Sequence, residues 1–113
     1  MNNSKLQQIK KENIFTNIPQ ELQDELFEDI VNKADLKIQR IVSQGHTTQE
    51  FDWYDQDGDE WVILLKGSAI ISFPDEDDVE LEVGDYLNIP AHKKHKVSYT
   101  SQDEKTIWLA VHY

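Results

Sequence analysis

Four histidines, a surplus of carboxylates and no cysteine are the groups from which any chemistry of this chain must be built. Imidazole and carboxylate can hold a divalent ion or move a proton, whereas disulfides, thiolate metal sites and a cysteine nucleophile are excluded. Their spacing carries information. Glu60 is separated from Gly67 by six residues, and Gly84 from Pro90 by five, with His92 and His95 following. Glu60 and His95 would each stand at the start of a strand, and inward residues of neighbouring strands in a barrel converge on one interior region.

This pairing resembles the two motifs of the cupin family. There the first motif runs from two histidines one residue apart, through a glutamate, to a glycine; the second runs from a glycine through Pro-x-Gly to a histidine and then an asparagine. The likeness covers about residues 36–113, and the stretches 51–67 and 107–113 also look like small single-domain bacterial cupins. It implies a cupin-type antiparallel β-barrel, a jelly-roll-like double-stranded β-helix. It also implies a divalent metal (Fe, Mn, Ni or Zn) and chemistry of the dioxygenase, isomerase or decarboxylase kind.

The departures from the family pattern matter as much. Where the two histidines belong, one alignment places Trp53 and Asp55, the other Tyr54 and Gln56. His92 stands at the family's glycine and Tyr99 at its asparagine. The expected metal-ligand set is therefore Glu60 and His95, with His92 and Asp55 as replacements. The alternative for Glu60 is the end of an acidic hairpin, Asp57-Gly58-Asp59; for His92 it is an exposed turn.

Around these, Trp53, Tyr54, Gln56, Tyr86 and Tyr99 are expected to line a pocket. Arg40 shares a strand face with Leu36, Ile38 and Val42. It either enters the barrel to meet a substrate carboxylate or makes a structural ion pair on an outward face. His46, in a polar stretch after Gly45, reads as a loop residue. His112 alternates with Trp108 and Ala110, opposite the more apolar Ile107, Leu109 and Val111, and is expected to face outward or into an interface.

The elements that must position these groups are mostly strands. Leu36–Ser43, Glu60–Lys66, residues 68–73 and residues 106–113 are rich in β-branched and aromatic side chains, and Val79, Leu81 and Val83 alternate with acids. Gly67, Pro74, Gly84-Asp85 and Pro90 punctuate them. Before them, Leu22, Leu26, Phe27, Ile30 and Val31 recur at three- and four-residue spacing after Pro19, which predicts one N-terminal amphipathic helix over residues 19–32. The chain of 113 residues reads as one domain, with residues 1–35 an arm and helix and 36–113 the barrel. Residues 61–65 are apolar on both faces, so their outward side needs a cover from that helix or a second subunit; a homodimer is expected.

Composition narrows the partners. Eleven basic against twenty-two acidic residues give a net charge of −11, which argues against nucleic acid and anionic membranes. The amino-terminal residues lack the apolar segment of a signal peptide, and no apolar run approaches membrane-spanning length, so a cytoplasmic location is expected. Three functions fit: a metal-dependent enzyme, a metal-free module binding a small molecule in the barrel, or a dimeric interaction protein with a vestigial pocket.

Overall fold

A computed structural model describes residues 8–49 and 52–113. The strands, in chain order, are β1 (Leu26–Lys33), β2 (Leu36–Ser43), β3 (Glu60–Lys66), β4 (Ala69–Phe73), β5 (Glu76–Leu81), β6 (Tyr86–Ile89), β7 (Lys96–Thr100) and β8 (Thr106–His112). They form two antiparallel sheets, one in the order β1-β2-β8-β3-β6 and the other β5-β4-β7. The barrel architecture follows from short alternating strands punctuated by Gly and Pro, as the sequence suggests.

The expected helix over residues 19–32 is not formed; Leu26–Lys33 is the edge strand β1, joined to β2 by a tight turn at Ala34 and Asp35. The register slips between Asp29 and Val31, a bulge at Ile30 that breaks the two-residue alternation. Leu26 and Val31 consequently stand on one face despite their odd separation, opposite Val42 and Ile38. A bulged strand thus presents apolar residues at intervals that mimic a helix, and pairing with β2 decides between them.

The core lies between the sheets. Val62, Leu64, Ala69, Ile71, Leu81, Trp108 and Ala110 are buried together, with Ile41, Phe73, Leu87 and Val97 packed against them. Gly67 turns the chain between β3 and β4 at φ +85°, and a Cβ there would lie 2.8 Å from the Thr106 Cα, so this turn needs glycine both for its backbone and for its space.

Residues ahead of β1 run as an irregular arm over the outer face of the large sheet. The Arg40 guanidinium, 8% exposed, donates to Glu28 Oε1 at 2.6 Å and to the carbonyls of Ile14, Thr16 and Asn17. Lys105 Nζ donates to the Gln20 carbonyl and His46 Nε2 contacts the Gln23 carbonyl, whereas Glu25, at the end of the arm, accepts from Ser43 Oγ on the inward face of β2. The outward face of β2 is therefore the apolar one, with Val42 fully buried beneath this cover, and its polar face points inward. Among the described residues no helix is long and apolar enough to cross a membrane.

Candidate functional site

β3 begins at Glu60, which sits opposite Ile89 of β6 and His112 of β8. His95 immediately precedes β7, where a bridge to Tyr54 holds its backbone: Tyr54 N donates to the His95 carbonyl at 2.8 Å, and His95 N to the Tyr54 carbonyl at 3.2 Å. The two side chains meet inside the barrel, with His95 Nε2 3.4 Å from Glu60 Oε1, and both are buried. His95 Nδ1 lies 2.9 Å from the Lys93 carbonyl; since a carbonyl can only accept, Nδ1 carries a proton. Burial opposes a charge on His95, but the hydrogen bonds to Glu60 and to the Lys93 carbonyl and the Glu60 charge outweigh it together and raise the pKa. The raised pKa favours the protonated imidazole beside Glu60.

His112 joins them from the neighbouring strand. Gln39 Nε2 donates to Asp29 at 2.9 Å, which fixes the orientation of the amide and leaves Gln39 Oε1 facing His112 Nε2 at 3.2 Å. His112 therefore donates from Nε2. Burial is the main reason its pKa is lowered, with Lys37 and His95 adding to that direction, so the ring is held neutral. The expectation that His112 faces outward fails, because the more polar face of β8, not the more apolar one, points into the barrel.

These groups open onto a cavity of about 280 Å³. Val62, Ile71, Ile89 and Val97 form apolar wall, Tyr54, Gln39 and Gln56 add polar groups, and Glu25 and Lys37 bring one charge of each sign besides the Glu60–His95 pair. Trp108 is also in the lining and is 3% exposed; its indole Nε1 is buried with no hydrogen-bond partner among the described residues.

Of the sequence-derived candidates, Glu60, His95, Tyr54 and Gln56 come together at this cavity; the others do not line it. His92 adopts φ +62°, the left-handed conformation that suits the glycine found there in the family, and its Nδ1 pairs with Asp55 at 2.9 Å on the exposed rim. Asp55 and His92 thus satisfy each other instead of joining Glu60. Trp53 stacks under Lys96 Nζ, 4.6 Å from the ring centroid. Tyr86 is exposed against Trp61, their rings 5.5 Å apart. Tyr99 is also exposed: the register between β4 and β7 shifts at Ser98, so Val97 points inward and Tyr99 does not. Arg40 is occupied by the amino-terminal arm, as an outward ion pair.

The donor set does not fit a resident divalent metal. Glu60 and His95 offer two ligands, and Asp55 and His92 are tied to one another on the rim. Among the described residues no three histidine or acidic side chains are grouped to hold an ion.

The cupin domain family matches residues 41–112, and the chain belongs to that family. Its fold is similar to that of a Ralstonia eutropha JMP134 protein provisionally named a mannose-6-phosphate isomerase, at 39% identity and a TM-score of 0.88, covering 92% of this chain and 97% of that one. A cupin superfamily protein of Desulfitobacterium hafniense DCB-2 superposes with a TM-score of 0.70 at 22% identity, covering 84% of this chain and 82% of that one. A Thermus thermophilus protein does so with a TM-score of 0.74 at 14% identity, covering 92% of this chain and 96% of that one. No curated protein matches the chain.

Proposed function

We propose that this cupin binds a compact hydroxy-carbonyl compound in its barrel and isomerises it by proton transfer between Glu60 and His95. The observation that carries the reading is the buried pair itself, the Glu60 carboxyl and the His95 imidazole 3.4 Å apart at the wall of a cavity of about 280 Å³. A cavity near the low end of the usual roughly 300–1,000 Å³ range suits a small ligand. The isomerase name of the Ralstonia protein supports the reaction class.

The chemistry needs one base and one acid. Glu60 removes the proton from the hydroxyl-bearing carbon beside the carbonyl, the carbon–hydrogen electrons form a carbon–carbon double bond, and the carbonyl oxygen takes the proton of His95. The resulting enediol collapses the other way: Glu60 returns its proton to the former carbonyl carbon while His95 recovers one from the second hydroxyl. Such acid–base pairs contribute on the order of 10²–10⁴ in rate. The Fe, Mn, Ni or Zn implied by the resemblance to cupins is not part of this proposal, because among the described residues no three histidine or acidic side chains are grouped to hold an ion.

The test is exchange of the carbon-bound hydrogen of dihydroxyacetone with deuterated water, followed by NMR. The wild type is expected to accelerate exchange, and Glu60→Gln to abolish the acceleration with the cavity intact. Binding without exchange in the wild type would leave a metal-free binding module; exchange that survives Glu60→Gln would contradict the assignment of the base.

A further inference from the structure

The bulge in β1 reaches the cavity through three side chains. By displacing Ile30 it leaves Asp29 opposite Gln39 and Asn32 opposite Lys37, with Asp29 and Asn32 in contact. The Asp29 carboxylate accepts from Asn32 Nδ2 at 2.8 Å and from Gln39 Nε2 at 2.9 Å, and these bonds hold its pKa down. An ionised carboxylate can only accept, so the Gln39 amide cannot turn over. Gln39 Oε1 then takes the proton of His112 Nε2, and a ring kept neutral chiefly by burial has none left for Nδ1.

His112 Nδ1 is therefore a lone pair, and it has no partner among the described residues. It is open to solvent, because Trp108 Nε1 is the one unpaired side-chain N or O atom sealed from it among the described residues. His112 lines both the cavity and a recess beside it, and the two share Lys37 and Gln56, which places the ring at the mouth. On β8 it stands opposite Glu60 of β3 and Lys37 of β2, both in the cavity lining. Side chains opposed on adjacent strands have Cβ atoms about 4.5–5.5 Å apart, so one small ligand spans His112 and Glu60.

A lone pair calls for a donor. A hydroxyl supplies one, whereas a carboxylate does not, and Lys37 has only donors of its own. The steps at Glu60 and His95 already use the carbonyl and the hydroxyl beside it.

We infer that His112 Nδ1 accepts a hydrogen bond from a second hydroxyl of the ligand, outside the reacting pair, so that the cavity takes a ketone hydroxylated on both sides. Asp29 and Gln39 are positioning residues that act through the His112 tautomer. This rests on the function proposed above and adds to it the ligand class and the residue that reads it.

The experiment uses the full chain with ¹⁵N-labelled histidine, its four rings assigned through single His→Gln variants. Ring-nitrogen shifts are expected to show His112 protonated at Nε2 alone in the wild type, and as a mixture of tautomers in Gln39→Leu. Dihydroxyacetone is expected to displace the Nδ1 signal. Hydroxyacetone, which keeps the reacting carbonyl and hydroxyl but lacks the second hydroxyl, is expected to bind about tenfold more weakly and leave Nδ1 unmoved. That factor corresponds to one hydrogen bond of about 1.4 kcal/mol. In His112→Phe the difference between the two compounds should vanish, and in His112→Asn, whose side-chain oxygen can accept, it should partly return. Hydroxypyruvate, with a carboxylate in place of the second hydroxymethyl, is expected to bind no better than hydroxyacetone.

Equal binding of dihydroxyacetone and hydroxyacetone by the wild type overturns the inference, as does tighter binding of hydroxypyruvate than of dihydroxyacetone, which would give the position to Lys37. In both cases hydrogen exchange in hydroxyacetone that depends on Glu60 leaves the proposed function standing. Displacement of Nδ1 without such exchange would overturn the function and leave His112 as the reader of a hydroxyl. If no compound binds, both fail together. Should His112→Phe not fold, the wild-type comparison of the three compounds decides.

Discussion

Glu60 Oε1 and His95 Nε2 face each other at 3.4 Å from the ends of different strands, and the backbone bridge between Tyr54 and His95 holds that separation. A buried carboxylate left without its cation is costly, about 3–5 kcal/mol for a broken buried pair. His95→Gln is therefore expected to destabilise the fold by about 3 kcal/mol in urea denaturation at a pH where both groups are charged. The raised pKa of His95 gives the sign of the pH dependence. Its contribution is complete below the unfolded value near 6.5 and is lost as pH rises through the higher folded value. The gap between wild type and variant should narrow on that side.

His112 should behave in the opposite sense. Its folded pKa is lowered, chiefly by burial, so its contribution is present above about pH 6.5 and is lost as pH falls through the folded value. Ring-proton NMR is expected to find His95 titrating above, and His112 below, the ordinary histidine value of about 6.5. Coincident titration would contradict the assigned environments.

Two glycines separate steric from conformational need. Gly67 and Gly84 both have positive φ, but a Cβ at Gly67 would collide with Thr106 while one at Gly84 meets nothing within 4 Å. Gly84→Ala is expected to cost about 1–2 kcal/mol from backbone strain alone. Gly67→Ala should cost clearly more, as measured by the denaturation midpoints of the two variants.

Arg40 should matter for stability and not for the cavity. Arg40→Ala removes the donor shared by Glu28, Ile14, Thr16 and Asn17, with an expected loss of about 2–4 kcal/mol. Hydrogen exchange in the arm ahead of β1 should rise, while exchange of a bound ligand's carbon-bound hydrogen stays as in the wild type.

The strands β2, β3 and β8 are legible in the sequence because glycine, proline and apolar runs mark them locally, and the meeting of Glu60 with His95 is legible through the resemblance of their spacing to the cupin motifs. β1 is not, since its bulge at Ile30 disguises a two-residue period. The face of β8 is misread, and that of β2 left open between two readings, for a different reason. A barrel that holds a polar cavity turns Lys37, Gln39 and His112 inward, and the amino-terminal arm supplies the apolar cover outside. Tyr99 is lost from the pocket through another register shift, and His92 through its left-handed backbone and its tie to Asp55. All of these depend on contacts between segments distant in the chain.

The most direct test of the central claim is deuterium incorporation into dihydroxyacetone by protein freed of metal with a chelator and checked by elemental analysis. The account predicts that incorporation continues undiminished without metal and falls by on the order of 10² or more in Glu60→Gln. Incorporation that stops with the chelator and returns on adding Fe, Mn, Ni or Zn would contradict it.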